Sequence, residues 1–281
     1  YGLVGSEMCI RDRYNTSTKS DCGEFFMKIT GLITEYNPFH NGHQYHIEKA
    51  KKLTGADKVV VVMSGNFVQR GAPALLPKHL RAEMALKSGA DLVIELPVFY
   101  ACASAEYFAY GAVSLLHALH CVDSICFGSE CGDLTLLQKA ANIMAEEPDA
   151  YKHSLQSYLR EGYRFPLARQ KAFQDFTKEE RIASILEQPN NILGIEYLKA
   201  LSSLNSPIQP FAISRIGSGY HETDLHKIYS SASAIRKTVS TTKELESLSG
   251  HVPDSTLTLL KENYQVRFPV FLNDFSLLLK Y

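Results

Sequence analysis

The feature that most constrains this chain is a repeated handover from short β-branched runs to helix-length segments, beginning at Lys28. Residues 28–34 (K-I-T-G-L-I-T) read as a strand and 42–53 as a helix. Residues 58–63 (K-V-V-V-V-M) are almost continuously β-branched, the pattern of a strand buried on both faces. A helix over 78–88 leads to a third strand at 91–96, which Pro97 stops. A helix over 105–119 leads to a fourth strand at 124–127, which ends in G-S-E. Strands alternating with helices in this way predict βαβ units, a parallel sheet and right-handed crossovers. Residues 134–204 read as helical throughout, with breaks near Pro148, Gly162, Pro166 and Pro189. A fifth strand is expected at 208–214, where Pro210 argues for an edge, and a short helix at 233–239.

The two ends read differently. Residues 1–26 carry neither helical nor strand period and no apolar stretch of a secretory signal, so they are expected to be an extension foreign to the fold, with Met27 as the start. The tail from 241 is less regular and ends on L-L-L-K-Y without a cap, which reads as a truncation. A net charge of −1 offers no whole-chain argument for nucleic acid or membrane, and no apolar run nears the roughly 20 residues of a membrane span. The six cysteines, at 9, 22, 102, 121, 126 and 131, form no C-x-x-C pair. They are read, with His117 and His120 nearby, as thiols of a reducing cytoplasm rather than as metal ligands, and no metal site is expected.

Where the first strand hands over to the first helix the chain reads T-E-Y-N-P-F-H-N-G-H-Q-Y-H-I. In an open parallel sheet a ligand sits beyond the carboxyl ends of the strands. The free N–H groups and dipole of the following helix favour a phosphate there. Gly42 would let the backbone approach it, and His40 and His43, three apart, can both face it. Imidazoles so placed can donate to oxygens that gain charge during phosphoryl or nucleotidyl transfer. Residues 230–237 (S-S-A-S-A-I-R-K) open a later helix with serine hydroxyls and an arginine, the makings of a second phosphate site.

The H-x-G-H pattern resembles the signature of the nucleotidyltransferase superfamily that includes class I aminoacyl-tRNA synthetases, and S-x-x-I-R resembles its second phosphate element. Longer strings are more discriminating. M-K-I-T-G-L-I-T-E-Y-N-P-F-H-N-G-H, V-M-S-G-N-F-V-Q-R-G-A-P-A, S-G-A-D-L-V-I-E-L-P, F-G-S-E, P-N-N-I-L-G-I-E-Y-L and S-R-I-G-S-G-Y-H together resemble the bacterial tRNA(Met) cytidine acetate ligases.

That resemblance implies an α/β fold, a Rossmann-like HUP nucleotidyltransferase domain over 27–240 with a helical insertion over about 134–204, followed at 241–281 by the start of a tRNA-binding region. It implies activation of acetate by ATP with Mg²⁺ to acetyl-adenylate, then acetyl transfer to N4 of the wobble cytidine of elongator tRNA(Met). ATP contacts carry over to Ile33, Thr34, Glu35, Tyr36 and Asn37, to Pro38, Phe39, His40, Asn41 and Gly42, and to His43, Gln44, Tyr45 and His46. Gly128, Asn190, Asn191 and Arg215 complete the set. His40 and His43 would stabilise the transition state, and Arg236 and Lys237 would hold the leaving pyrophosphate. Asn190 or Asn191 would read adenine or ribose, Arg215 would steady the nucleotide, and Gly128 would admit the base.

Gln69 and Arg70 are candidates for the acetate pocket or the tRNA path, and Glu35 for tuning a histidine or holding a ribose. Glu95 reads as a hydrogen-bonding group near the crevice. Lys78, Arg81, Lys87, Lys152, Arg160, Arg164, Arg169 and Lys171 offer a basic face for tRNA, or simply solvated helix faces. The rival readings are another small-molecule adenylyltransferase of this fold and an ATP- or RNA-binding fragment without turnover.

Overall fold

In a computed structural model, residues 27–215, 230–242 and 244–280 are described; the expectation for residues 1–26 lies outside them. From β1 (Ile29–Thr34) the chain enters α1 (Asn41–Thr54), then β2 (Lys58–Ser64), α2 (Lys78–Lys87) and β3 (Leu92–Leu96). A single turn, α3 (Val98–Ala101), precedes α4 (Ala105–Ala118) and β4 (Ser124–Ser129). Five helices fill the next stretch: α5 (Leu134–Glu146), α6 (Asp149–Arg160), α7 (Phe165–Thr177), α8 (Glu180–Ser184) and α9 (Pro189–Ser203). Then come β5 (Gln209–Ser214), α10 (Ala232–Thr241) and α11 (Asp254–Asn263). The helical stretch breaks between α6 and α7, beside Gly162 and Pro166, and Pro166 sits in the first turn of α7, where a proline forfeits no hydrogen bond.

The five strands are all parallel and lie in the order β3-β2-β1-β4-β5. Pro210 sits in edge strand β5, where its missing N–H is tolerated. The chain winds outward one way from β1 and then crosses to β4, so the switch point lies between those two neighbours. Their ladder covers only Thr30↔Ser124 and Gly31↔Ile125, whereas β1 and β2 pair from Ile29 to Thr34. The carboxyl halves of β1 and β4 therefore part, and the switch point opens into a cavity.

Alternation along the strands divides the core. Ile29, Val60, Val62, Ile125 and Phe127 pack with α4, α5 and α9 on one face. Leu32, Val59, Val61, Met63 and Ile213 pack with α1, α2 and α10 on the other. Leu245, Leu248, Val252, Leu257, Leu260 and Phe268 bury in that second core. The apolar spacing of the tail is too irregular to announce this.

Arg81, expected on a basic face, is fully buried. Its Nε donates to the Leu76 carbonyl at 3.1 Å and Nη2 to the Ser64 carbonyl at 3.1 Å, with further bonds to the carbonyls of Glu35 and Gly65. Burial lowers its pKa to about 10, against the raising effect of Glu35 and Glu95, so it stays charged at neutral pH. Four acceptors from the ends of β1 and β2 and from the loop before α2 thus converge on one cation. Arg169 is also mostly buried, paired with Glu196 at 3.5 Å and lying over the Phe165 ring. Lys78, Lys87 and Lys152 pair with Glu95, Glu83 and Glu147, and Lys171 lies over the rings of Tyr158 and Tyr163. Arg160 and Arg164 are exposed on the insertion. Arg81→Met leaves four buried carbonyls without their donor and should cost about 3–5 kcal/mol in urea unfolding, with Arg81→Lys recovering only part.

Candidate nucleotide-binding site

The cavity, about 300 Å³, is walled by the ends of β1, β4 and β5, the first turns of α1, α9 and α10, and α4. His40 is the N-cap of α1, and its Nδ1 accepts the Gly42 N–H at 3.0 Å. His43 Nδ1 in turn accepts the His40 N–H at 3.3 Å, and the two rings stack at 3.7 Å. With each Nδ1 accepting, the proton of each neutral imidazole sits on Nε2, a donor left for a ligand.

Gly42 has a nearer reason than ligand approach: a Cβ there would lie 2.9 Å from the His40 ring, so the glycine lets that imidazole fold over its own helix. Burial, followed by the charges of Arg215 and Arg236, lowers the His40 pKa to about 3. His43 is also held well below the ordinary histidine range, by burial first and then by His40, Arg215 and His46. Burial and Arg215 take His46 to about 4. These imidazoles are neutral donors at physiological pH, not cations. Buried His46 Nε2 has no hydrogen-bond partner among the described residues, and His46 lines the cavity, polarity that a nucleotide would satisfy.

The second motif meets the first here. Ser231 caps α10, its hydroxyl accepting the Ala234 N–H at 3.1 Å. Arg236 Nη1 donates to the Asn37 carbonyl at 2.7 Å and Nη2 to Ser233 Oγ at 3.0 Å, so one side chain joins two motifs 199 residues apart. Arg215 Nη1 donates to Asn190 Oδ1 at 3.3 Å, and a Cβ on Gly128 would lie 3.4 Å from Arg215 Cγ.

Among the expected residues, Ile33, Thr34, Glu35, Tyr36, Asn37, His40, Gly42, His43, Tyr45, His46, Gly128, Asn190, Arg215 and Arg236 line this one cavity, as do Gln69 and Arg70. Pro38, Phe39, Asn41, Gln44, Asn191 and Lys237 do not. Phe39 is wholly within the α1 core, and Asn41 Nδ2 donates instead to the Gly250 carbonyl at 2.7 Å. Asn191 is buried with its Oδ1 on the Cys131 N–H, so of the asparagine pair only Asn190 faces the cavity. Lys237, one step around α10 from Arg236, is exposed.

Among the described residues Glu35 bonds no histidine; its Oε1 accepts the Gln69 N–H at 2.9 Å, and its pKa is raised by burial against the pull of that bond and of Arg236, Arg81 and Arg70. Glu95 is exposed and bonded to Lys78.

Two residues escaped the sequence reading. Glu130 accepts the N–H groups of Asn190 and Asn191 at 3.2 and 2.8 Å and the Asn190 amide at 2.6 Å, capping α9. An acid sixty residues before the helix it caps leaves no local signal, although it stands in the quoted F-G-S-E. His251 Nδ1 meets Ser230 Oγ at 2.9 Å, and its carbonyl accepts the Asn41 N–H at 3.2 Å, tying the tail to both motifs.

The depressed histidine pKa values fix a sign. The unfolded chain takes up protons near pH 6.5 while the folded one refuses them until about pH 3–4, so stability is complete above pH 6.5 and falls as pH drops towards 4. Each such histidine steepens the fall by about 1.4 kcal/mol per pH unit. Urea unfolding from pH 7 to 4.5 should show this slope, and His46→Gln should flatten it by one proton's worth.

A family model described as HIGH nucleotidyl transferase matches residues 27–281. The tRNA(Met) cytidine acetate ligase of Caldanaerobacter subterraneus subsp. tengcongensis is 51% identical over 256 residues, covering 91% of this chain and 64% of that protein. Its counterpart in Alkaliphilus metalliredigens is 47% identical over 262 residues, 89% of this chain and 62% of the relative. The crystal structure of Thermotoga maritima TmcAL bound with alpha-thio ATP superposes with a TM-score of 0.84 at 40% identity, over 90% of this chain and 60% of that one. The chain thus spans 62–64% of the length of these curated relatives. With its imidazoles at the head of α1, its arginine-bridged serine helix and a family model running from Met27 to Tyr281, the chain belongs to the HIGH nucleotidyl transferase family.

Proposed function

We propose that this chain carries the acetate-activating centre of a tRNA(Met) cytidine acetate ligase. It would join acetate to the α-phosphate of ATP and pass the acetyl group to N4 of the wobble cytidine of elongator tRNA(Met). The observation that carries this reading is the Arg236–Asn37 bridge, which holds two phosphate-binding motifs on one cavity. The kinship with acetate ligases, and the ATP analogue named for the Thermotoga maritima TmcAL crystal structure, support the same choice of substrates.

In the first step an acetate oxygen attacks the α-phosphorus, the bond to the β-phosphate breaks, and pyrophosphate leaves. The Nε2–H groups of His40 and His43 donate to the α-phosphate oxygens as charge gathers on them. Being neutral, these donors need no proton exchange with solvent. Ser231, Ser233 and Arg236 face the leaving pyrophosphate, while Asn190, Arg215 and Gly128 take the adenosine. Mg²⁺ would accompany ATP as its complex and would offset the phosphate charge. In the second step the cytidine amine attacks the acetyl carbonyl and AMP leaves. Among the described residues no helix is long and apolar enough to cross a membrane, and the reading needs none.

The test is exchange of labelled pyrophosphate into ATP. Exchange should require acetate and fall about 10²–10³-fold in His43→Ala, the usual loss for a single oxyanion donor. ATP binding without acetate-dependent exchange would reject adenylation by this chain. Exchange driven instead by a phosphorylated small molecule would reassign the substrate.

A further inference from the structure

Glu130 makes one bond more than the cap of α9 requires. Gln188, at the N-cap position, makes no side-chain capping bond, and Glu130 supplies the cap from the loop after β4. Its Oε1 accepts the Asn190 N–H at 3.2 Å and its Oε2 the Asn191 N–H at 2.8 Å. Those two bonds satisfy helix donors and set a negative charge at the positive end of α9. The third bond is the shortest and adds nothing to the helix. In it the Asn190 side-chain Nδ2–H donates to Oε1 at 2.6 Å.

That third bond fixes which way the Asn190 amide faces. Only the amide nitrogen can donate to a carboxylate, and only its oxygen can accept from a guanidinium. With Nδ2 on Glu130, Oδ1 is turned to Arg215, whose Nη1 donates to it at 3.3 Å. The reversed amide would set acceptor against acceptor at one end and donor against donor at the other. The charge-assisted bond also polarises the amide, which makes Oδ1 the better acceptor. Arg215 follows β5 directly, with its N–H on the Ser129 carbonyl at 3.0 Å and its stem beside Gly128. It is an exposed residue, so without the amide its long side chain would be free to turn away. Asn191 ties down the same loop, its Oδ1 accepting the Cys131 N–H at 3.1 Å. Asn190 and Arg215 line the cavity and Glu130 stands behind them.

We propose that Glu130 is a positioning residue for the nucleotide, acting through the Asn190 amide to hold the Arg215 guanidinium at the cavity before ATP arrives. The proposal rests on the reading of this end of the cavity as the adenosine end. Fixing a long side chain in advance removes an ordering cost that binding would otherwise bear. A glutamine at 130 keeps an acceptor for the helix but releases the orientation, because its own amide can donate as well as accept.

The test exchanges the two ends of this relay and reads ATP affinity by calorimetry, without turnover. Glu130→Gln and Asn190→Asp should each weaken ATP binding about three- to tenfold, the first by freeing the amide and the second by setting two carboxylates together. The double variant again pairs one amide with one carboxylate, the carboxylate now on Arg215, and should bind within about twofold of the parent. A cap alone predicts no such rescue, and urea midpoints report the cap separately. Unchanged affinity in Glu130→Gln, losses that multiply in the double variant, or affinity that simply follows the urea midpoint would overturn the proposal. Should Glu130→Gln alone not fold, the double variant against Asn190→Asp carries the same test, and no recovery of affinity there overturns it. ATP binding without pyrophosphate exchange would reject adenylation and leave this proposal standing. Exchange with unaltered affinities in the variants would do the reverse.

Discussion

A buried guanidinium organises the carboxyl edge of this sheet. Arg81 sits at the head of α2 with no exposure to solvent and gathers carbonyls from the end of β1, the end of β2 and the loop before its own helix. Those carbonyls lie at the last residue of β2, just beyond the ends of β1 and β2, and in the loop before α2. Without a donor each would be an unpaired buried acceptor. One planar fork with five N–H groups satisfies four of them at once. It also sets the course of Glu35 and the following loop, and with it the position of the two stacked imidazoles.

From that edge the site follows with little freedom. The backbone turns from β1 into α1 through His40, which caps the helix with its own ring. Capping consumes one nitrogen of each of two histidines and thereby orients the other. Burial removes the charge, so the same hydrogen bonds that finish the helix prepare neutral, directed donors. Arg236 then anchors the serine helix to the Asn37 carbonyl. The parting of β1 from β4 beyond Gly31 and Ile125 supplies the space between them.

Much of this was legible in the residues because it is local. The β-branched run at Val59–Val62, the glycine and histidines at a strand–helix junction and the serines opening α10 carry their meaning within a few positions. What failed was always long-range. Arg81 looked like any helix-face cation, since nothing near it in sequence shows that four carbonyls from elsewhere will surround it. Asn190 and Asn191 are adjacent, yet a 100° rotation along α9 sends one to the cavity and the other to the Cys131 amide. Lys237 shares a motif with Arg236 and is turned to solvent for the same reason. Glu130 and His251 act on partners sixty and more than two hundred residues away, and the tail that carries His251 is too irregular to suggest that it closes the second core.

The sequence by itself determined the alternating parallel architecture and the two motifs that meet at its carboxyl edge, because periodicity and helix-end chemistry are short-range. Only the tertiary structure decided which side chains meet there and which charges survive burial. Those outcomes depend on desolvation and on hydrogen bonds closed between distant segments, and neither quantity exists until the chain has packed.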